Sequence, residues 1–307
     1  MFYAKILLFG EYGIIEDSMG LTIPYNYYEG KLKKESEPGD DQKSSNDSLK
    51  KYCDYLTDLY QKKELPFEFD VHRFQKDIAE GLYFDSTIPQ GFGVGSSGAL
   101  CAALYDKYGI NKISASDNIG KKEILNLKSI FGFMESYFHG KSSGIDPLIC
   151  YLNIPLLIKS KSDVGTVGLP DEAPGEGAIF LLDSGQPGET EPMVNIFMEK
   201  CKQQGFRKML KEQFVKYNDE CIKSFLDMNF KQLFRSLKHL SGLLLENFTP
   251  MIPTVFHKLW KEGLETNAYY LKLCGSGGGG YILGFTRDVK KAQKLLKDHN
   301  MEIIYRF

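Results

Sequence analysis

The sequence predicts an α+β protein of two domains, on three observations. The glycine run Gly91-Phe92-Gly93-Val94-Gly95-Ser96-Ser97-Gly98 follows an apolar segment and opens onto the apolar stretch Ala99–Tyr105, an order that reads as strand, glycine-rich loop and helix. Pro170–Gly177 carries two prolines and two glycines, which interrupt any regular element and mark a boundary between residues 1–175 and 176–307. Beyond it, strands and helices alternate in a β-α-β-β-α-β order, the pattern of a ferredoxin-like α+β half. A chain of 307 residues is long enough to bury two cores.

Taken in order, Tyr3–Phe9 reads as a buried strand entering a tight turn and not as a targeting segment, because its apolar patch has no basic leader. Gly10–Met19 is turn, and Leu21–Tyr28 is a second strand, rich in β-branched and aromatic residues. Glu35–Ser48 is rich in Ser, Asp, Lys and Gly and reads as a loop, a lid or a mobile excursion. Tyr52, Tyr55, Leu56 and Leu59 recur at helical spacing within Leu49–Gln61. Phe67–Val71 and Leu82–Ile88 read as strands leading into the glycine run. Lys122–Tyr137 is a helix with Glu135 near its end, and a strand at Leu156–Lys159 follows. After the boundary come a strand at Ala178–Asp183, a largely helical stretch at Met193–Asn247, strands at Tyr269–Leu273 and Tyr281–Phe285, a helix at Val289–Lys297 and a last strand at Met301–Phe307.

Composition narrows the function classes. Apolar and charged fractions of 42% and 25% are those of an ordinary globular protein. A net charge of −2, with short basic patches at Lys31–Lys34 and Lys290–Lys291 that read as solvated faces, gives no footprint for a nucleic-acid partner. No apolar run reaches the about 20 residues of a membrane span. The six cysteines form no C-x-x-C pair, which fits reduced thiols in a cytoplasm and argues against a zinc site.

Three segments carry the chemistry. Glycines let backbone approach a ligand and adopt positive φ, and exposed N–H groups in succession form an anion cradle. A helix opening at Ser96 and Ser97 adds its dipole, which suits phosphate; the plain alternative is a serine-capped turn. With Ser142-Ser143-Gly144-Ile145-Asp146-Pro147 and Lys272–Gly280, the run at 91–98 points to a nucleotide-using enzyme. Phosphate transfer needs charge neutralisation, and Mg²⁺ takes oxygen ligands and one or two carboxylates, so Ser97 and Glu135 are candidates. Glu135 read alone is an exposed helix residue. Asp146 before Pro147 is a helix N-cap on one reading, and on the other a general base for an acceptor hydroxyl. Lys5 lies inside an apolar strand, where an ammonium is costly unless paired, and it is the partner that keeps such a base ionised.

Missing motifs exclude rivals. There is no G-x-x-x-x-G-K-[ST] run, so no P-loop, and neither His-Arg-Asp nor Asp-Phe-Gly of a protein kinase. Gly93–Gly98 matches G-x-G-x-x-G, but the acidic residue expected about twenty positions on is Asp117, in a polar stretch and not at the end of an apolar strand.

Pro89-x-x-x-Gly93-Val94-Gly95-Ser96-Ser97-Gly98-Ala99 resembles the phosphate loop of the GHMP kinases. Lys5–Glu11 resembles their N-terminal motif and Lys272–Gly280 their C-terminal glycine motif, in the right order and across essentially the whole chain. Within the family, Glu135-x-x-x-His139-Gly140-x-x-Ser143-Gly144-Ile145-Asp146 is most similar to the mevalonate kinase branch. The resemblance implies a GHMP-kinase-like fold, with a ribosomal-S5-like N-terminal α/β domain and a ferredoxin-like C-terminal domain. It implies ATP held by Gly91, Gly93, Gly95, Ser96, Ser97, Gly98, Gly275, Ser276, Gly277 and Gly278. It also implies Mg²⁺ on Ser97 and Glu135, Asp146 as base with Lys5 beside it, and Glu11, Tyr12 and Thr190 near the acceptor. His139 is then a turn-stabilising residue. The partner implied is a small-molecule alcohol, mevalonate, with no nucleic acid and no membrane; a homodimer is compatible with it.

Three positions depart from the branch. Tyr12 stands where histidine is usual, and Glu-Tyr also occurs in phosphomevalonate-kinase-like sequences. Gly98 stands where alanine is more common, and Cys274 replaces a common threonine. Phosphomevalonate kinase, or another sugar or alcohol kinase of the family, is the alternative enzyme. A ligand-sensing protein that keeps the fold without catalysis is the alternative class, and the full set Lys5, Ser97, Glu135 and Asp146 argues against it.

Overall fold

A computed structural model describes residues 1–116, 119–172 and 175–307. Asp117, and the Ala173–Pro174 part of the boundary segment, lie outside the described residues, as does the side chain of His139. The chain forms two compact units, and both draw on more than one stretch of sequence. The first holds residues 1–5, 24–89 and 95–154; the second holds 6–23, 90–94 and 155–307. The α+β class is the one predicted.

In the first unit, β1 (Phe2–Phe9) begins and β2 (Gly20–Lys34) ends. The outer part of β2 pairs antiparallel with β3 (Leu82–Ser86), Gly30 facing Ser86 and Lys34 facing Leu82. Between them lie α1 (Asp40–Gln61) and α2 (Val71–Ala79). After the glycine run come α3 (Ser96–Tyr108), α4 (Lys121–His139) and α5 (Ile145–Leu152). Tyr52, Phe74, Leu104, Phe131 and Leu148 are wholly buried and form the core.

Two expectations fail here. Residues 40–48 are not loop: α1 starts at Asp40, its first turn closed by the Gly39 N–H donating to Gln42 Oε1 at 2.7 Å. Asp40 and Asp41 sit where the helix dipole favours negative charge. Phe67–Val71 is not a strand either. Phe69 makes a single bridge to Gly109, and Asp70 then caps α2, accepting from the Arg73 N–H at 3.0 Å.

In the second unit, the start of β2 pairs with β4 (Leu156–Ser160), Gly20 facing Ile158, and β4 turns back into β5 (Asp163–Thr166). β6 (Ala178–Asp183) leads into α6 (Thr190–Lys200) and α7 (Gln204–Met209). A π turn at Leu210–Phe214 joins α7 to α8 (Val215–Leu226), and α9 (Phe230–Asn247) and α10 (Thr254–Thr266) follow. β7 (Tyr270–Leu273), β8 (Tyr281–Thr286), α11 (Val289–Leu295) and β9 (Met301–Arg306) complete the chain. The four strands lie in the order β7-β8-β6-β9, all antiparallel, which is the ferredoxin-like arrangement expected from the β-α-β-β-α-β order. Phe180, Phe225, Trp260 and Ile282 fill its core, and Trp260 Nε1 donates to the Ser241 carbonyl at 3.0 Å.

Among the described residues no helix is long and apolar enough to cross a membrane. The cysteines are not joined in disulfides.

Candidate active site

Two clusters gather the residues that the sequence singles out, one in each unit. The first begins with Lys5. Its Nζ lies 2.8 Å from Asp146 Oδ2, and its side chain is 3% exposed against 37% for Asp146. Lys5 is therefore no snorkelling surface lysine. Nor is Asp146 the N-cap of α5: Gly144, at φ 74°, holds that position, and Asp146 is the second helical residue. Its carboxylate is turned to Lys5, with more than a third of its surface open.

Around this pair stands the N-terminus of α3. Gly95 caps it in the left-handed region at φ 86°, and Ser96 and Ser97 are its first residues, so the serines do not serve as caps. A Cβ at Gly95 would lie 2.8 Å from Lys5 Cγ, so glycine is what lets the loop pass over the lysine. Glu135, which read alone is an exposed helix residue, is instead buried, because α4 turns it inward onto two serines. Ser97 Oγ donates to its Oε1 at 3.1 Å, and Ser142 Oγ donates to its Oε2. Burial, together with the negative charge of Asp146, pushes the Glu135 carboxyl well above the ordinary range; the two serines and Lys5 only partly oppose this. A cation beside Glu135 would relieve that imbalance. One carboxylate and one hydroxyl form an oxygen-only donor set, which suits Mg²⁺, since that ion keeps several waters and takes few protein ligands. No group of three or more His, Cys, Asp or Glu able to hold a metal occurs among the described residues.

The second cluster lies in the other unit. Lys272 Nζ donates to Glu11 Oε1 at 2.6 Å and to the Leu273 carbonyl at 2.8 Å, and both ionic side chains are almost wholly buried. The ammonium also sits 5.7 Å from the centre of the Phe9 ring. Tyr12 donates from its hydroxyl to the Ser276 carbonyl at 2.6 Å, and Ser276 Oγ meets Thr190 Oγ1 at 3.4 Å. Gly275, Gly277 and Gly278 all have positive φ. Gly91 and Gly93, from the first half of the earlier glycine run, belong here as well. A Cβ at Gly93 would stand 2.4 Å from the Cys274 carbonyl oxygen, and the Gly188 N–H donates to the Gly91 carbonyl at 2.8 Å. The run at 91–98 is thus shared between units, passing from one to the other between Val94 and Gly95.

Ser142 and Lys272 are the partners that sequence reasoning missed. A signal existed for Lys272: like Lys5, it is a lysine inside an apolar strand. Ser142 carried none, because a serine in a Ser-Ser-Gly turn is ordinary turn chemistry.

Residues 55–153 match the family described as GHMP kinases N terminal domain, a region that holds α3, Glu135 and Asp146. That match covers about a third of the chain and assigns those residues to the GHMP kinases N terminal domain. This is a family of kinases, which use ATP. The whole chain shares its fold with solved GHMP kinase structures. An L. major mevalonate kinase in complex with R-mevalonate is 16% identical, with 99% of this chain and 95% of that one covered and a TM-score of 0.65. A Streptococcus pneumoniae phosphomevalonate kinase in complex with phosphomevalonate and AMPPNP is 13% identical, with coverage of 99% and 97% and a TM-score of 0.64. A Lactococcus lactis galactokinase complexed with galactose is 10% identical, with coverage of 99% and 92% and a TM-score of 0.60. No curated protein sequence matches the chain. At these identities the likeness establishes the fold alone and leaves activity and substrate to chemistry.

Proposed function

We propose that the protein is an ATP- and Mg²⁺-dependent kinase that phosphorylates the primary alcohol of mevalonate. The observation that carries this reading is the Lys5–Asp146 pair, a buried ammonium 2.8 Å from a carboxylate that keeps an open side. That arrangement suits proton removal from a hydroxyl: Asp146 accepts the proton as the oxygen attacks the γ-phosphorus of ATP. The bond from that phosphorus to the β-phosphate oxygen breaks and ADP leaves, while Lys5 steadies the charge that develops. Gly95, Ser96, Ser97 and Gly98 offer a helix N-terminus to phosphate. Glu135 and Ser97 would hold Mg²⁺, which would supply the positive charge that phosphoryl transfer needs. Gly91, Gly93 and the Gly275–Gly278 loop contribute further backbone to nucleotide binding, and Glu11, Tyr12 and Thr190 serve the acceptor. In functional terms residues 1–175 carry the base, the metal ligands and the phosphate loop, and residues 176–307 the C-terminal glycine motif.

Tyr12 beside Glu11 favours a second reading, in which the acceptor is 5-phosphomevalonate and the mechanism is unchanged. The experiment is a coupled ADP-release assay with Mg²⁺-ATP and mevalonate, 5-phosphomevalonate, galactose or homoserine. Release with mevalonate alone supports the first reading, and release only with 5-phosphomevalonate replaces it with the second. ATP binding without release on any alcohol would sink both.

A further inference from the structure

Tyr12 stands at φ 58° and ψ −36°, positive-φ backbone that a bulky residue seldom adopts. Its turn already needs glycine at position 10, where a Cβ would lie 2.8 Å from Gly20 Cα. Glycine would suit the backbone at position 12 too, so a tyrosine persists there only if its surroundings over-determine it. They do. The ring packs on Phe197 and Phe248, with centroids 4.6 and 5.8 Å away. The hydroxyl reaches the Ser276 carbonyl across 264 positions of sequence. The preceding residue, Glu11, is gripped by Lys272. Two consecutive residues of the N-terminal turn therefore hold the segment 272–276 at two points.

That segment opens the loop most in need of restraint. Gly275, Gly277 and Gly278 have φ of +77°, +80° and +79°, and glycine has the most conformational freedom to lose. In a trans peptide the C=O and N–H point in opposite directions. Tying the Ser276 carbonyl to Tyr12 therefore turns the Gly277 N–H to the other side of the loop. We propose that Tyr12 is a positioning residue, whose hydroxyl locks the Ser276–Gly277 peptide in the orientation the glycine loop uses in the reaction. Burial and the neighbouring Glu11 charge keep the phenol protonated, as a donor must be. The purpose of the loop rests on the kinase reading; the latch itself does not.

Tyr12→Phe keeps the ring and its packing and removes only the donor. Its hydrogen–deuterium exchange over 274–280 is compared with that of the wild type, alongside kcat and KM for ADP release. Exchange in that loop is expected to rise about five-fold, the factor one net hydrogen bond is worth, with the rest of the chain unchanged and kcat/KM lowered. Wild-type exchange in the loop overturns the proposal. So does faster exchange with wild-type kinetics. A wild-type protein inert on every alcohol refutes the kinase reading instead, and loop exchange then still decides for or against the latch.

Discussion

Gly98 meets Asp146 backbone to backbone: a Cβ at Gly98 would stand 2.8 Å from the Asp146 carbonyl carbon and 2.9 Å from Pro147 N. No side chain fits between α3 and the first turn of α5 at this point, which is how Ser97 and Asp146 come to share one cluster. In an exposed helix interior, replacing glycine by alanine gains about 1 kcal/mol. Here the sign reverses. Gly98→Ala is expected to lose about 1–3 kcal/mol through overpacking and to slow turnover as Asp146 is displaced. Urea unfolding and ADP-release kinetics check both, and an alanine variant as stable and active as the wild type would refute the close approach.

The Lys5–Asp146 pair predicts two matching losses. Asp146→Asn should lower kcat by roughly 10²–10⁴-fold, the span of general base catalysis, while nucleotide binding measured by calorimetry stays near wild type. Lys5→Met should lose turnover similarly. An active Asp146→Asn enzyme would remove the base assignment and leave Asp146 an electrostatic role only.

Lys272 and Glu11 make a prediction about stability. Removing one member of a buried ion pair strands the other, which costs about 3–5 kcal/mol. Lys272→Met and Glu11→Leu should each destabilise on that scale, and the double variant should lose much less than the sum. Strict additivity across this double-mutant cycle would mean the two side chains do not interact.

Glu135→Gln tests the proposed Mg²⁺ site. The amide keeps the shape and one acceptor oxygen but loses the charge, so half-maximal ADP release should need more Mg²⁺ than in the wild type. An unchanged Mg²⁺ titration would remove Glu135 from the ligand set.

Asp77 predicts how acid unfolds the protein. Burial alone would raise its carboxyl, but Lys107 and Lys34, at 2.8 and 2.7 Å, and the Tyr108 hydroxyl outweigh burial and hold it well below the usual range. With the folded value below the unfolded one, the unfolded chain takes the proton first. The stabilising contribution is therefore complete above about pH 4 and is lost as pH falls below it. Asp77→Asn should be less stable near neutrality and show a shallower loss between about pH 5 and pH 2. Urea midpoints measured across that range with the same slope for both proteins would contradict it.

What was legible in the sequence was local. Lys5 revealed itself because an ammonium inside an apolar strand demands a partner, and strand, loop and helix around 91–98 followed from glycine content and periodicity. The start of α1 was illegible for an equally physical reason. Residues 40–48 are polar all round, and the turn is held by contacts no pattern displays: Ser45 Oγ accepts from the Phe84 N–H at 3.0 Å, and Asn46 donates to the Ile78 and Leu82 carbonyls. The apparent strand at 67–71 failed because Asp70 prefers to cap a helix there.

By itself, then, the sequence determined the α+β class and the ferredoxin-like order of its second half, and it named the residues on which the proposed phosphoryl transfer rests, because composition, periodicity and glycine spacing act over a few residues. Only the tertiary structure decided who meets whom. Glu11 finds Lys272 across 261 positions and Tyr12 finds a backbone carbonyl across 264, and such pairings depend on how the chain closes on itself, which no short stretch of sequence encodes.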